Sequence, residues 1–328
     1  MQAKVSWRNP QVRALAYQWL AALLLLCLLA LLVWNTRHNL QTRGIPSGFD
    51  FLLQPAGFAI GESLWRFDAV QSYAHAFAVG LGNTLRVALP GIALATLLGT
   101  LLGVGRLSSN SLLRSLCRLY VEWFRNIPLL LHLLMAYLLL TEFLPDPAAA
   151  LRIGPLLLSK GGLAFPVPVL EAGGWLWSPP RQTEFAVEGG GALTPEFLAL
   201  WLGLSLYTAA FVAELVRAGI ESVPRGQWQA AQALGLRRGL VLRHVVMPQA
   251  LRLVLPPLTN QYLSLTKNSS LGVAIGYPEL VSIANTAINQ TGRAVECIAV
   301  VMAVYLSLSL LTALLMNRYN QRLQARGT

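Results

Sequence analysis

The residues best suited to chemistry lie between Glu214 and Pro278, and their types suit docking rather than bond-making. Plotted at 100° per residue, Trp228, Ala230, Ala231, Leu234 and Gly235 share one arc of a helix over Gln227 to Leu236, with Gln229 and Gln232 opposite. Small side chains on that arc let another surface approach the backbone closely. Gly235 is placed to end the helix in a left-handed cap, and Arg237 and Arg238 follow where cations favour the negative end of a helix dipole. Catalytic chemistry finds no such grouping. His38, His75, His132 and His244 are isolated and no nucleophile motif accompanies them. The phosphate cradle G-x-x-x-x-G-K-[ST] does not occur, so the sequence offers no usual site for ATP. Cys27, Cys117 and Cys297 are scattered, two of them in or near apolar runs, and read as packing residues rather than a disulfide framework or a metal site.

The elements that must position this helix are membrane spans. The chain has 328 residues, 55% hydrophobic and only 12% charged, with a formal net charge of +11. Its arginines sit in short loops beside apolar runs, which fits a membrane surface and not a nucleic-acid-binding face. A span needs about 20 predominantly apolar residues, and six stretches qualify: Tyr17 to Trp34, Phe77 to Val104, Ile127 to Phe143, Glu196 to Val216, Pro248 to Thr266 and Val295 to Met316. The first is too long for a secretory h-region and lacks a convincing cleavage site, so it reads as a retained anchor. Pro90, Gly99, Pro256 and Pro257 are tolerable in membrane helices whose neighbours satisfy the freed carbonyls.

Basic residues set the orientation. Lys4, Arg8 and Arg13 place the N-terminus inside. The same side receives Arg106, Arg114 and Arg118, then Arg217, Arg225, Arg237, Arg238 and Arg243, and finally Arg318, Arg322 and Arg326. The segments 35–76, 144–194 and 267–293 then lie outside and hold most of the acids, while Arg37 and Arg43 run against the pattern. Segment 48–73 reads as an outer cap with an interfacial helix. Segment 144–194 is rich in Pro and Gly and is broken by Arg152, Pro155 and Lys160. It reads as an ordered insertion that does not span, with Trp175 and Trp177 at the interface.

Several stretches carry a family resemblance. QAA at 229–231, Gly235 and VVMP at 245–248 resemble the cytoplasmic coupling loop of ABC-importer permeases, usually written EAA, three residues, Gly, and a spacer to I-x-L-P. The spacing matches, while Gln229, Val245 and Met247 depart from the usual Glu, Ile and Leu. GFDFLLQPAGF at 48–58, GNTLRVA at 82–88, YVEWFRNIPLLLH at 120–132, SLYTAAFVAELVRAGIESVPRGQWQAAQALGL at 205–236 and PPLTNQYLSLTKNSSLGVAIGYPELV at 256–281 are similar to the polar and general L-amino-acid branch. The likeness is to the larger of two permeases in such importers, with a shorter insertion and with His132 in place of a usual Gln.

The resemblance implies an all-α integral membrane protein with the type I ABC-importer permease fold and one extra N-terminal helix. It implies a cytoplasmic tail, anchor and cap over 1–76, a core over 77–316 with insertion 144–194 and coupling loop 217–247, and a cytoplasmic tail over 317–328. Its partners would be a second permease, a cytoplasmic ATPase dimer that binds ATP and Mg, and a periplasmic amino-acid-binding protein in the bacterial inner membrane. Gln229, Ala230, Ala231, Gly235, Arg237 and Pro248 would couple to the ATPase. An L-amino acid in a dehydrated passage asks for paired polar contacts. Glu296 would meet its ammonium, Lys267 its carboxylate, and Asn83, Thr84, Asn268 and Ser269 would supply neutral hydrogen bonds. The competing roles are headgroup snorkelling for Lys267 and Glu296, and helix-to-helix hydrogen bonding for Asn83 and Thr84. A secondary transporter would show repeated halves, which the sequence lacks, and a channel would show a filter motif. A purely structural membrane partner would not need the full spacing from Gln229 to Pro248.

Overall fold

The computed structural model describes residues 10–171, 174–184 and 186–325. Lys4, Arg8 and Arg326, used above to orient the chain, lie outside them. The first helix, α1 (Pro10–Thr42), is apolar all round and none of its membrane-length window is buried, as suits a helix bathed in lipid. A cap over 48–72 leads into α2 (Tyr73–Gly105), which Ser72 starts by accepting a hydrogen bond from the His75 amide. Next come α3 (Ser111–Asn126) and α4 (Leu129–Glu142), bent by 105° at Ile127 and Pro128. After the insertion, α5 (Pro195–Glu221) begins at the Thr194 cap.

The helix expected over Gln227 to Leu236 is α6 (Arg225–Ala233), and α7 (Arg238–Val241) follows it. A π-helical turn (Leu242–Val246) joins α7 to α8 (Met247–Asn268). A 3-10 turn (Ser269–Ile275) then leads to α9 (Leu280–Thr291) and α10 (Ala294–Ala325). Helices α1, α2, α5 and α10 are each long and apolar enough to cross a membrane, and the two bent pairs bring the crossings to six.

The core is the contact of α2 with α5. Gly91, Ala95, Gly99 and Gly103 recur every four residues on α2, the spacing that lets membrane helices pack backbone to backbone. A Cβ at Gly99 would sit 2.5 Å from Val212 Cβ and 2.8 Å from the Ala209 carbonyl. Helices α4 and α8 close on the flanks of α5, with Leu133 and Leu265 buried in the shared core.

Two expectations change and one is met. The third span matches α4, 14 residues and roughly 21 Å at the α-helical rise, and α3 turns away from it. Segment 267–293 does not lie outside the bundle. Its 3-10 turn and α9 continue the fifth crossing at a 51° bend and pack along α2 and α10. Gly276 (φ 82°) and Pro278 make that break. The cap contains no interfacial α-helix, only a 3-10 turn at Asp50–Leu53. Pro55 forces Gln54 into an extended conformation (ψ 154°) and ends it.

The insertion is the β exception in an otherwise helical chain. Strands β1 (Leu151–Ile153), β2 (Leu156–Ser159), β3 (Gly162–Phe165) and β8 (Gly191–Leu193) form one antiparallel sheet. Gly154 (φ 62°) supplies the positive φ of the two-residue turn between β1 and β2. Leu157 and Ala164 point to one face and bury there with Ala150. Two hairpins, β4 (Val167–Glu171) with β5 (Gly174–Ser178) and β6 (Arg181–Gln182) with β7 (Val187–Glu188), interrupt the sheet, and Trp175 and Trp177 stand exposed on β5.

Candidate functional site

Helix α6 is built by local rules. Gly235 takes φ 79°, its amide donates to the Gln232 carbonyl at 2.9 Å, and the Leu236 amide donates to the Ala231 carbonyl at 3.3 Å. This is the paired-bond cap that a glycine after a helix makes possible. Ala231 is buried, and half-buried Trp228 and Leu236 pack with Val223, Val241 and Val246 in the same apolar cluster. The arc read from the sequence therefore splits. Trp228 and Ala231 face the chain's own core, whereas Ala230 and Leu234 face out, Leu234 at 82% exposure. The five positions span about 160°, too wide for one contact.

Gln229 is exposed, so whatever it contributes is offered outward. Arg237 and Arg238 do not sit in the last turn of α6. Arg237 instead precedes α7, where its carbonyl accepts from the Leu240 and Val241 amides at 2.8 and 3.0 Å. Pro248 lies in the first turn of α8 and is exposed. The six residues expected to couple thus fall along one connected stretch between α5 and the first turn of α8.

Behind that loop sits an ion network. Glu214 pairs with Arg106 from the end of α2, with Arg217 one turn along α5, and with Arg125 of α3 at 3.8 Å; Arg217 also pairs with Glu221. Two of these pairs lie at helical spacing along α5, Glu214 with Arg217 and Arg217 with Glu221, and the other two join separate helices. Arg125 further stacks over Phe211, 5.4 Å from the ring centre. The network ties three helices to the base of the loop.

The polar residues expected in a substrate path mostly have partners inside the chain. Asn83 donates to the Glu62 and Pro278 carbonyls at 2.8 and 2.9 Å. Thr84 donates to the Gly80 carbonyl at 2.9 Å and accepts from the Leu280 amide at 3.3 Å. Buried Ser269 donates to the Thr266 carbonyl at 2.7 Å. Asn83 and Thr84 thus glue α2 to the break in the fifth crossing.

Glu296 is buried at the cap end, where its Oε1 accepts from the Gly48 amide at 2.7 Å. Arg293 completes that clasp by donating to the Gly48 carbonyl at 2.6 Å and to both oxygens of Asp50. The hydrogen bond to Arg293 holds the Asp50 carboxyl below its usual range. Lys267 is different. It is exposed beside half-buried Asn268 and opens onto a groove of about 480 Å³ lined also by Ser270, Val281, Met302, Tyr305 and Leu306.

Two acids escaped the sequence reading. Glu62 holds Arg86 at 2.6 Å and accepts from the Thr194 hydroxyl, joining cap, α2 and α5. Glu279 is fully buried and caps α9 by accepting from the Val281 and Ser282 amides, both at 2.8 Å, with the Tyr305 hydroxyl at 3.5 Å. The apolar run after Pro278-Glu279 was the signal for Glu279; Glu62 had none, since its partners lie 24 and 132 positions away.

Comparison with known proteins bears on this geometry. The family described as binding-protein-dependent transport system inner membrane component matches residues 95–325. The chain is 40% identical to the General L-amino acid transport system permease protein AapQ of Rhizobium johnstonii, over 96% of this chain and 93% of that protein. It is 33% identical to the Glutamate/glutamine/aspartate/asparagine transport system permease protein BztB of Rhodobacter capsulatus, over 97% and 95%. Its fold is similar to a crystal structure of an amino acid ABC transporter with histidines, at TM-score 0.57 and 26% identity, covering 76% of this chain and 95% of that one.

Proposed function

We propose that this chain, which belongs to the inner-membrane components of binding-protein-dependent transport systems, is a transmembrane subunit of an ATP-driven amino-acid importer. The observation that carries the reading is α6. It is fixed by its own cap and by Trp228 and Ala231, yet it leaves Ala230 and Leu234 exposed. An ATPase dimer would take that face in a cleft, bind ATP and Mg itself, and move the loop as it closes.

Rigid-body motion of the loop reaches α5 and α8 directly. Val223 at the end of α5 and Val246 at the start of α8 share the cluster that holds α6, so displacement of the docking helix is passed on rather than absorbed. The basic loop end then faces the cytoplasm together with both termini, and the β-rich insertion faces the periplasm and a binding protein. A second permease subunit would close the path on the side of the Lys267 groove, where the ammonium group of Lys267 is available to a substrate carboxylate.

The test is purification of the chain with its co-encoded neighbours in nanodiscs, followed by ATP hydrolysis with and without a binding protein and a panel of L-amino acids. Stimulation by binding protein together with amino acids supports the reading. A chain that purifies alone, with no ATPase attached, overturns it.

A further inference from the structure

Helix α3 has three faces: one packs into the bundle, one is apolar and exposed, and one is basic and reaches the bundle through Arg125 alone. Cys117 and Val121 are buried against α2 and α5, and the Tyr120 hydroxyl donates to the Leu206 carbonyl at 2.8 Å, so the helix cannot roll. A second face carries Leu112, Leu116, Leu119 and Trp123, which fall within about 60° of one another at 100° per residue and are 54–67% exposed. The third carries Arg114, Arg118 and Arg125 against a single acid, Glu122. Arg118 pairs with Glu122 at 2.7 Å, whereas Arg114 pairs with no carboxylate among the described residues.

Position gives the pattern its meaning. The 105° bend at Ile127 and Pro128 turns α3 across the direction of α4, and so nearly into the plane that the spanning helices cross. The two helices packed beside it also carry exposed leucines, Leu97 and Leu101 on α2 and Leu130 and Leu131 on α4. A helix of this kind, apolar on one face and arginine-bearing on the next, lies at the boundary between headgroups and acyl chains.

We infer that α3 is an interfacial helix that sinks its leucine face into one leaflet and gathers anionic phospholipid headgroups with Arg114 and Arg118. Lipid would thereby hold the far end of the ion network, because Arg125 of the same helix reaches Glu214 behind the docking loop. The inference needs only the membrane location of the chain, not the importer reading.

The full chain in nanodiscs supplies the test. A nitroxide on Leu116→Cys, in a background without other cysteines, should be open to oxygen, shielded from an aqueous nickel chelate, and about 5–10 Å below the headgroup boundary. Native mass spectrometry with phosphatidylglycerol and phosphatidylcholine should show preferential retention of the anionic lipid. Arg114→Gln and Arg118→Gln should each lower that preference, roughly fivefold for the unpaired Arg114 and less for Arg118. A label open to the chelate, a label immobilised only when another subunit is added, or a lipid preference absent or unchanged in the variants would each overturn the inference. The second of these outcomes would make a protein partner the occupant of that face.

Discussion

The loop that carries α6 and the polar centre of the bundle use their hydrogen bonds in opposite ways. Helix α6 closes its own end within six residues, through Gly235 and Leu236, and so leaves Ala230, Leu234 and Gln229 for something outside. In the centre, Asn83, Thr84, Ser269 and Glu279 bond to backbone groups of the chain itself, two of them across nearly 200 residues. A polar side chain in an apolar surround must find a partner, and here the nearest partner is the break in the fifth crossing. Residue type alone does not distinguish a strut from a contact, whereas the destination of its hydrogen bonds does.

The contrast can be broken from either side. Glu279→Ala removes the acceptor of two buried amides and should cost about 2 kcal/mol, read as a lower unfolding temperature in detergent, with α6 undisturbed. Gly235→Val should cost about 1–2 kcal/mol because φ 79° disfavours a branched side chain. Its larger effect is functional: the chain still inserts, but ATP hydrolysis is uncoupled from transport. Normal binding-protein-stimulated hydrolysis and uptake in that variant would contradict the docking role of the loop.

Glu296→Gln sharpens the contrast. Gln keeps an acceptor for the Gly48 amide, so a strut predicts uptake within about twofold of the parent, whereas an ammonium contact predicts its loss in a transport assay. The smallest effect concerns pH. Asp50 has its folded pKa depressed by Arg293. Its contribution is therefore present above the unfolded value and is lost as pH falls through the folded one, so the clasp should be intact at neutral pH and loosen below about pH 4. Hydrogen exchange at residues 48–53, corrected for intrinsic rates, should show that change, and Asp50→Asn should flatten it.

What could be read in advance was what is local. The QAA to Gly235 spacing, the left-handed cap and four long spans follow from neighbouring residues and from the length of apolar runs. The split face of α6 did not follow, because it depends on where Val223 and Val246 lie beneath it. The third span was legible because Arg125, Asn126 and Pro128 end one helix and begin the next at the bend. Gly276 and Pro278 were visible punctuation, but that α9 returns along α2 is decided by Thr84 and Leu280 meeting across 196 residues. The insertion gave no periodicity because its strands have five residues at most, and Pro55 with Gly57 removed the helix expected in the cap.

The π-helical turn at Leu242–Val246 has a consequence for helical phase. The Met247 amide reaches back five positions to the Leu242 carbonyl, so this turn holds one residue more than an α-helical turn would. That residue rotates everything downstream by about 100°. Ala250, Val254 and Leu258 meet the α5 side of the bundle, and Lys267 meets its groove, only at this phase. Deleting a single residue from the turn would regularise the helix locally while turning its buried stripe toward lipid and Lys267 away from the groove.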